Sequence, residues 1–94
     1  MTLDTFLQSI KDKRKPNDLL YIYAEETLNN GDKINLTIDN EFINKHPLIL
    51  QADLLDYGEE DTEESDFFAK STSKIKVYYA QVSLDQYNKA KKGI

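Results

Sequence analysis

Acidic side chains crowd one short stretch of this sequence, and they are the residues in it most capable of chemistry. Eight carboxylates lie between residues 53 and 66: Asp53, Asp56, Glu59, Glu60, Asp61, Glu63, Glu64 and Asp66. Paired carboxylates can act as general acid and base, or they can bind a hard cation such as Ca²⁺. A catalytic carboxylate needs burial or a charged partner to shift its pKa, whereas this run is typical of solvated chain. Its spacing also differs from that of a calcium-binding EF-hand loop.

Few other residues of the chain are suited to catalysis. His46 is the single histidine, and without cysteine there is neither a thiolate nucleophile nor a thiolate metal site. No serine lies in the G-x-S-x-G pattern of a nucleophile elbow. The three glycines, at positions 31, 58 and 93, are too scattered to form a phosphate-binding loop. The sequence therefore predicts a protein that is not an enzyme and that uses no metal or cofactor.

A contact surface for a basic partner is the functional interpretation of residues 53–66, the acidic tract. Complementary charge speeds encounter and contributes to specificity, and aromatic side chains beside the charges can anchor a partner. The predicted partner-binding residues are Asp56, Tyr57, Glu59, Glu60, Asp61, Glu63, Glu64, Asp66 and Phe67. The alternative interpretation is a solvated loop that only keeps the protein in solution.

Composition limits which partners are plausible. The formal net charge is −5, and Arg14 is the only arginine beside eleven lysines, which argues against direct binding of nucleic acid. A basic protein, including one that itself binds nucleic acid, fits this charge better. With tyrosine counted as polar, no apolar run exceeds three residues, as at Leu48–Leu50, so we expect no membrane span. The lack of cysteine and of a basic, apolar leader predicts a cytoplasmic protein.

The elements that position the tract begin with a helix. Apolar residues at positions 3, 6, 7 and 10 form one helical stripe, with Thr2 as N-cap and Pro16 as the stop. Residues 18–25 favour a strand whose two faces would carry Leu20, Ile22 and Ala24 on one side and Leu19, Tyr21 and Tyr23 on the other. The turn around Asn29-Asn30-Gly31 and the alternation over residues 34–38 complete a predicted antiparallel hairpin.

The second half of the chain is predicted to add two strands and a closing helix. Asp39 or Asn40 could cap a helical turn through Lys45, which Pro47 would end. Residues 48–54 have strand spacing and Leu48, Ala52 and Leu55 also fit a helix; we predict a strand because the segment is short and follows Pro47. The acidic tract follows as a loop, and alternation on Ile75, Val77 and Tyr79 indicates another strand. Ser83 and Gln86 match a capping box for the last helix. We therefore expect one α+β domain over residues 1–94, an antiparallel sheet of about four strands with a helix at each terminus.

Two functions remain open from the sequence. In its small size, acidity and Lys/Asn/Ile-rich composition the chain resembles phage-encoded anti-defence proteins and bacterial toxin-immunity proteins, and this resemblance, which no motif carries, implies an inhibitor or adaptor. The first prediction is accordingly a binding protein, monomer or weak dimer, that occupies a basic site such as a nucleic-acid site on its partner. The alternative is an assembly protein whose tyrosine-rich strands form a homo-oligomer, which Tyr78→Glu or Tyr79→Glu should dissociate.

Overall fold

Helices cover one face of a four-stranded sheet in the structure, a computed structural model that describes residues 1–66 and 71–93. In chain order the elements are α1 (Leu3–Ile10), β1 (Leu19–Thr27), β2 (Lys33–Thr37), α2 (Asn40–Lys45), a 3₁₀ helix (Pro47–Gln51), β3 (Asp56–Asp66), β4 (Ser71–Ser83) and α3 (Leu84–Lys92). Within the described ranges every helix is too short or too polar to cross a bilayer.

The sheet combines two hairpins in the order β2-β1-β4-β3. Each hairpin is antiparallel, but the two central strands β1 and β4 run parallel to each other. The predicted α+β arrangement with terminal helices is confirmed, and the predicted purely antiparallel sheet is wrong. Hairpin direction follows from a short local turn, whereas the direction of the central pair depends on how the long segment after β2 returns the chain to the sheet.

Helix α1 supplies much of the core, as its apolar stripe predicts. Leu3, Phe6 and Ile10 are buried, and the Thr5 N–H donates to Thr2 Oγ1 at 3.2 Å to cap the first turn. The helix ends at Ile10, well before the predicted stop at Pro16, and beyond it the Lys13 N–H donates to the Ile10 carbonyl at 3.1 Å in a three-residue turn. The basic residues that follow are exposed and lie outside the helix.

The β1–β2 hairpin has the predicted faces and turn. Ile22 and Ala24 are buried against the helices, while Tyr21 on the opposite face is 54% exposed. Gly31 takes the turn at φ 89°, a conformation that glycine adopts without steric cost. The Asp32 N–H donates to Asn30 Oδ1 at 3.0 Å and stabilises the same turn.

The segment between β2 and β3 differs from its prediction. Helix α2 is capped as expected, since the Phe42 N–H donates to Asp39 Oδ1 at 2.8 Å. The predicted strand over residues 48–54 is wrong, because Pro47–Gln51 form a 3₁₀ helix. Ile49 is fully buried there among the helices. The alternating apolar residues that predicted a strand therefore do not form one face of a sheet. The strand begins later, at Asp56, within the predicted loop.

Asp18 fixes the central strands to each other. Its carboxylate accepts the Lys15 N–H at 2.8 Å and the Lys76 N–H at 3.2 Å, so it joins the start of β1 to β4. These hydrogen bonds, the first above all, hold the pKa of Asp18 below its ordinary value. In the parallel register of β1 and β4, Tyr21 lies beside Tyr79. The last helix, α3, begins as predicted at Ser83, whose Oγ accepts the Gln86 N–H at 3.1 Å.

Candidate functional site

The acidic tract is an edge strand and not the predicted loop. Seven of its eight carboxylates lie within β3, which pairs along its whole length with β4 and has no second neighbour in the described sheet. Acidic residues have low strand propensity, but here the register sets Asp61 opposite Lys76 and Glu63 opposite Lys74. The opposite charges of Asp61 and Lys76 across this antiparallel pair stabilise the ladder, and the pairing was not visible from the tract alone.

Strand alternation divides the predicted partner-binding residues between the two faces of the sheet. Tyr57, Glu59 and Asp61 fall on the face that carries the helices, opposite Ala80, Tyr78 and Lys76. Asp56 and Glu60 fall on the other face, and all four of these carboxylates are exposed. The backbones of Glu63, Glu64 and Asp66 continue β3 opposite Lys74, Ser73 and Ser71. Phe67 lies outside the described residues.

The carboxylates on the helical side have cationic neighbours. Glu59 Oε1 lies 3.6 Å from Lys76 Nζ. The charge of Glu59 first, and that of Asp61 second, raises the pKa of Lys76 above its ordinary value. Lys13 and Lys15 line the same small cleft as Asp61 and Lys76. Much of the negative charge on this side is therefore balanced within the protein.

The opposite side of the sheet has a different character. We name it the open face and define it by Tyr21, Tyr23, Asp56, Glu60, Val77 and Tyr79, which line a shallow hollow of about 620 Å³ together with Asn35 and Thr37. The helices pack on the other side, where the buried strand residues Ile22, Ala24, Tyr78, Ala80 and Val82 lie. Lysine and arginine are missing from the described lining. The open face therefore combines aromatic surface with net negative charge.

Tyr79 is the centre of the open face. In the register of β3 and β4 it lies directly opposite Gly58, and its ring extends over that glycine. A Cβ atom placed on Gly58 would lie 2.8 Å from Tyr79 Oη and 3.1 Å from Cζ. Any residue larger than glycine at position 58 would force the Tyr79 ring to move. The position of this ring therefore depends on Gly58.

The surrounding charge also acts on Tyr23. Desolvation contributes most to raising its pKa above the ordinary value of 10.0, and the charges of Glu25 and Asp56 raise it further. The raised pKa reflects a partly desolvated and negative environment at the middle of the sheet. Such an environment disfavours ionisation of Tyr23 and favours binding of a cation.

Tyr78 and Tyr79 were the two tyrosines predicted to hold a homo-oligomer together, and Tyr78 is not on the open face. Tyr78 is 2% exposed and points into the core, so Tyr78→Glu would disrupt folding instead of an interface. Tyr79 lies on the open face. The alternation of β1 already indicated that Tyr21 and Tyr23 share a face, but their proximity to Tyr79 arises from the parallel pairing of distant strands.

The residues with catalytic potential are not brought together. His46 lies at the end of α2 with its ring 4.9 Å from that of Phe42, a packing contact. Over the part of the chain that the structure describes, no group of three or more His, Asp or Glu side chains is arranged to hold a metal ion.

Comparisons with known proteins give no similarity from which to infer function. The chain matches no family model, no curated protein and no solved structure at a significant level. The distribution of charge and aromatic surface described above is therefore the basis for a functional proposal.

Proposed function

We propose that this protein is a non-enzymatic binding protein, an inhibitor or adaptor that docks through the acidic strand β3 on a basic surface of a macromolecular partner. The observation that carries the proposal is an edge strand with seven carboxylates in its sequence, four of which, Asp56, Glu59, Glu60 and Asp61, are exposed. Edge strands often carry charge simply to prevent aggregation, and a few lysines are enough for that. The number and single sign of these charges favour a role in recognition.

The dimensions of β3 suit a site that normally receives nucleic acid. Eleven residues of strand extend over about 36 Å, at roughly 3.3 Å per residue. Seven carboxylates, divided between the two faces of the strand, then give about one charge per 5 Å of its length, compared with one phosphate per about 3.4 Å along a nucleic acid strand. Negative charges repeated along an edge strand suit a basic groove without any specific chemistry. A nucleic-acid-binding protein, such as a toxin or a defence enzyme, is the partner class that this supports.

Neutralising the strand tests the proposal. We expect replacement of Glu59, Glu60, Glu63 and Glu64 by Gln to slow association with the partner by roughly tenfold or more at low ionic strength, because steering depends on these charges. The matched control removes four exposed carboxylates outside the tract, through Asp4→Asn, Asp12→Asn, Glu26→Gln and Glu41→Gln. The partner is first isolated by affinity capture from the source cells.

Each form is then titrated against the isolated partner at two salt concentrations. Wild-type affinity should fall as salt rises, since screening shortens the Debye length to about 8 Å at physiological ionic strength. Equal affinities and equal salt responses for the wild type and the tract variant would refute the proposal. A variant that also lost its thermal transition would be uninformative about binding, so each protein is melted first.

The alternative function is a homo-oligomer built through the tyrosine-bearing strands. One observation favours it, the 42% and 54% exposure of Leu19 and Tyr21, which alternation places on the same side of β1. Sizing at micromolar concentration distinguishes the two functions, because a stable assembly that Tyr21→Glu dissociates would support the alternative. A monomer supports the binding protein.

A further inference from the structure

The open face places aromatic rings and carboxylates within reach of one another. Because Gly58 lies opposite Tyr79, the residues two positions to either side of it, Asp56 and Glu60, are the diagonal neighbours of that tyrosine. Diagonal neighbours on one face of an antiparallel pair have Cα atoms about 7–8 Å apart. The Tyr79 ring therefore lies between two carboxylates.

A second ring extends the same surface. Tyr21 lies beside Tyr79 in the parallel register of β1 and β4, and adjacent strands are about 4.8 Å apart. Tyr21 is 54% exposed, so a large part of it is available to a partner. Neither Asp56 nor Glu60 forms an ion pair with a side chain in the described part of the protein. Rings and carboxylates both attract cations, so these two carboxylates and the neighbouring rings can bind a cation supplied by a partner.

We propose that the open face binds arginine side chains of a partner protein, with the guanidinium stacked on Tyr21 and Tyr79 and hydrogen-bonded to Asp56 or Glu60. This inference rests on the proposed function and names the surface and the partner chemistry. Arginine fits better than lysine because its planar group stacks on aromatic rings and makes two parallel hydrogen bonds to a carboxylate. A lysine ammonium is a compact, strongly hydrated point charge that uses only part of this surface.

A second copy of the chain is a less suitable occupant. An isologous contact between two open faces would bring Asp56 and Glu60 of both copies into one interface without a cation from the described lining of either. Like charges that are buried together oppose association. A basic partner instead supplies the missing charge, which is why charge complementarity selects it.

Peptides of defined charge are the probes for this proposal. We expect hexa-arginine to bind the full-length chain more tightly than hexa-lysine in isothermal titration at low ionic strength, by roughly threefold or more. Hexa-glutamate is the negative control. Since the chain has no tryptophan, tyrosine emission gives an independent signal for ligand at the rings. Equal affinity for the two basic peptides, or no binding of either, would overturn the proposal.

Two pairs of variants separate the open face from overall charge. Glu59 and Glu60 are adjacent on β3 but point to opposite faces, so Glu60→Gln tests the open face and Glu59→Gln is its control with the same charge change. Tyr21→Leu and Tyr57→Leu form the second pair, because these tyrosines have similar exposure, 54% and 45%, on opposite sides of the sheet. Leucine keeps apolar volume and removes the ring.

The expected results differ within each pair. Glu60→Gln and Tyr21→Leu should each weaken hexa-arginine binding by roughly two- to fivefold, and each loss should exceed that of its partner variant, Glu59→Gln or Tyr57→Leu, which changes the other side of the sheet. Equal losses within the glutamate pair would overturn the open-face proposal and leave docking through β3 intact. A wild-type dimer that Tyr21→Leu converts to monomer would also overturn it, because a second copy would then be the occupant. Glu60→Gln keeps the test decisive if Tyr21→Leu does not fold.

Discussion

Replacing Gly58 by alanine should destabilise the protein only because of Tyr79. Gly58 does not have a positive φ, so its backbone conformation is open to alanine. The new Cβ would lie 2.8 Å from Tyr79 Oη and 3.1 Å from Cζ, and a real Cβ does not tolerate the shorter contact. The ring must therefore move from its place over β3, and the arrangement that defines the open face is altered with it.

The size of the effect follows from two opposing contributions. Overpacking of this kind costs about 1–3 kcal/mol. Removing a glycine from the interior of a strand returns about 0.5–1 kcal/mol. Since Tyr79 is only half-buried and can turn outward, we expect a net loss of about 1 kcal/mol. In a domain of this size that loss lowers the Tm by about 4–8 °C.

A double-mutant cycle provides the decisive comparison. In a Tyr79→Ala background the obstacle is gone, so Gly58→Ala should stabilise the fold by about 0.5–1 kcal/mol and raise the Tm. Tyr79→Phe should relieve the clash only in part, because it removes Oη and leaves Cζ. Thermal and urea unfolding followed by circular dichroism measure all the variants. An effect of Gly58→Ala with the same sign and size in every background would refute this account of the contact.

Two further predictions concern the core and the link between the central strands. Phe6→Ala removes a ring that is 3% exposed, so it should lower the free energy of unfolding by about 3–5 kcal/mol, and an unchanged urea midpoint would contradict the packing of α1. The hydrogen bonds to Asp18 lower its pKa, so the ionised carboxylate stabilises the fold at neutral pH and this stabilisation is lost as pH falls below 3.8. Asp18→Asn should therefore show a smaller loss of stability between pH 7 and pH 3 than the wild type, and parallel curves for the two proteins would contradict the role of this carboxylate.

Local patterns in the sequence were sufficient for the elements whose signals lie within a few residues of one another. The stripe of α1, the Asn30-Gly31 turn and the Asp39 and Ser83 caps all appear in the structure as expected. A cap or a tight turn is satisfied by its immediate neighbours, so its energetics do not depend on the rest of the chain. The terminal helices and the first hairpin therefore followed from the sequence.

Tertiary structure decided the elements whose local signals were weak or contradictory. The acidic residues of β3 have poor intrinsic preference for a strand, and the strand forms because β4 supplies a complete ladder and places Lys76 opposite Asp61. The spacing of apolar residues after Pro47 is compatible with a strand or a helix. The 3₁₀ helix forms because it buries Ile49 among the other helices.

The open face depends in the same way on contacts between distant residues. Tyr21 and Tyr79 lie far apart in sequence and become neighbours only because β1 and β4 pair in parallel. Composition alone established that the protein is acidic and rich in tyrosine. Strand register decides which carboxylates lie beside the tyrosine rings. A shift of β3 by one residue would place Glu59 on the open face and turn Glu60 to the helical side.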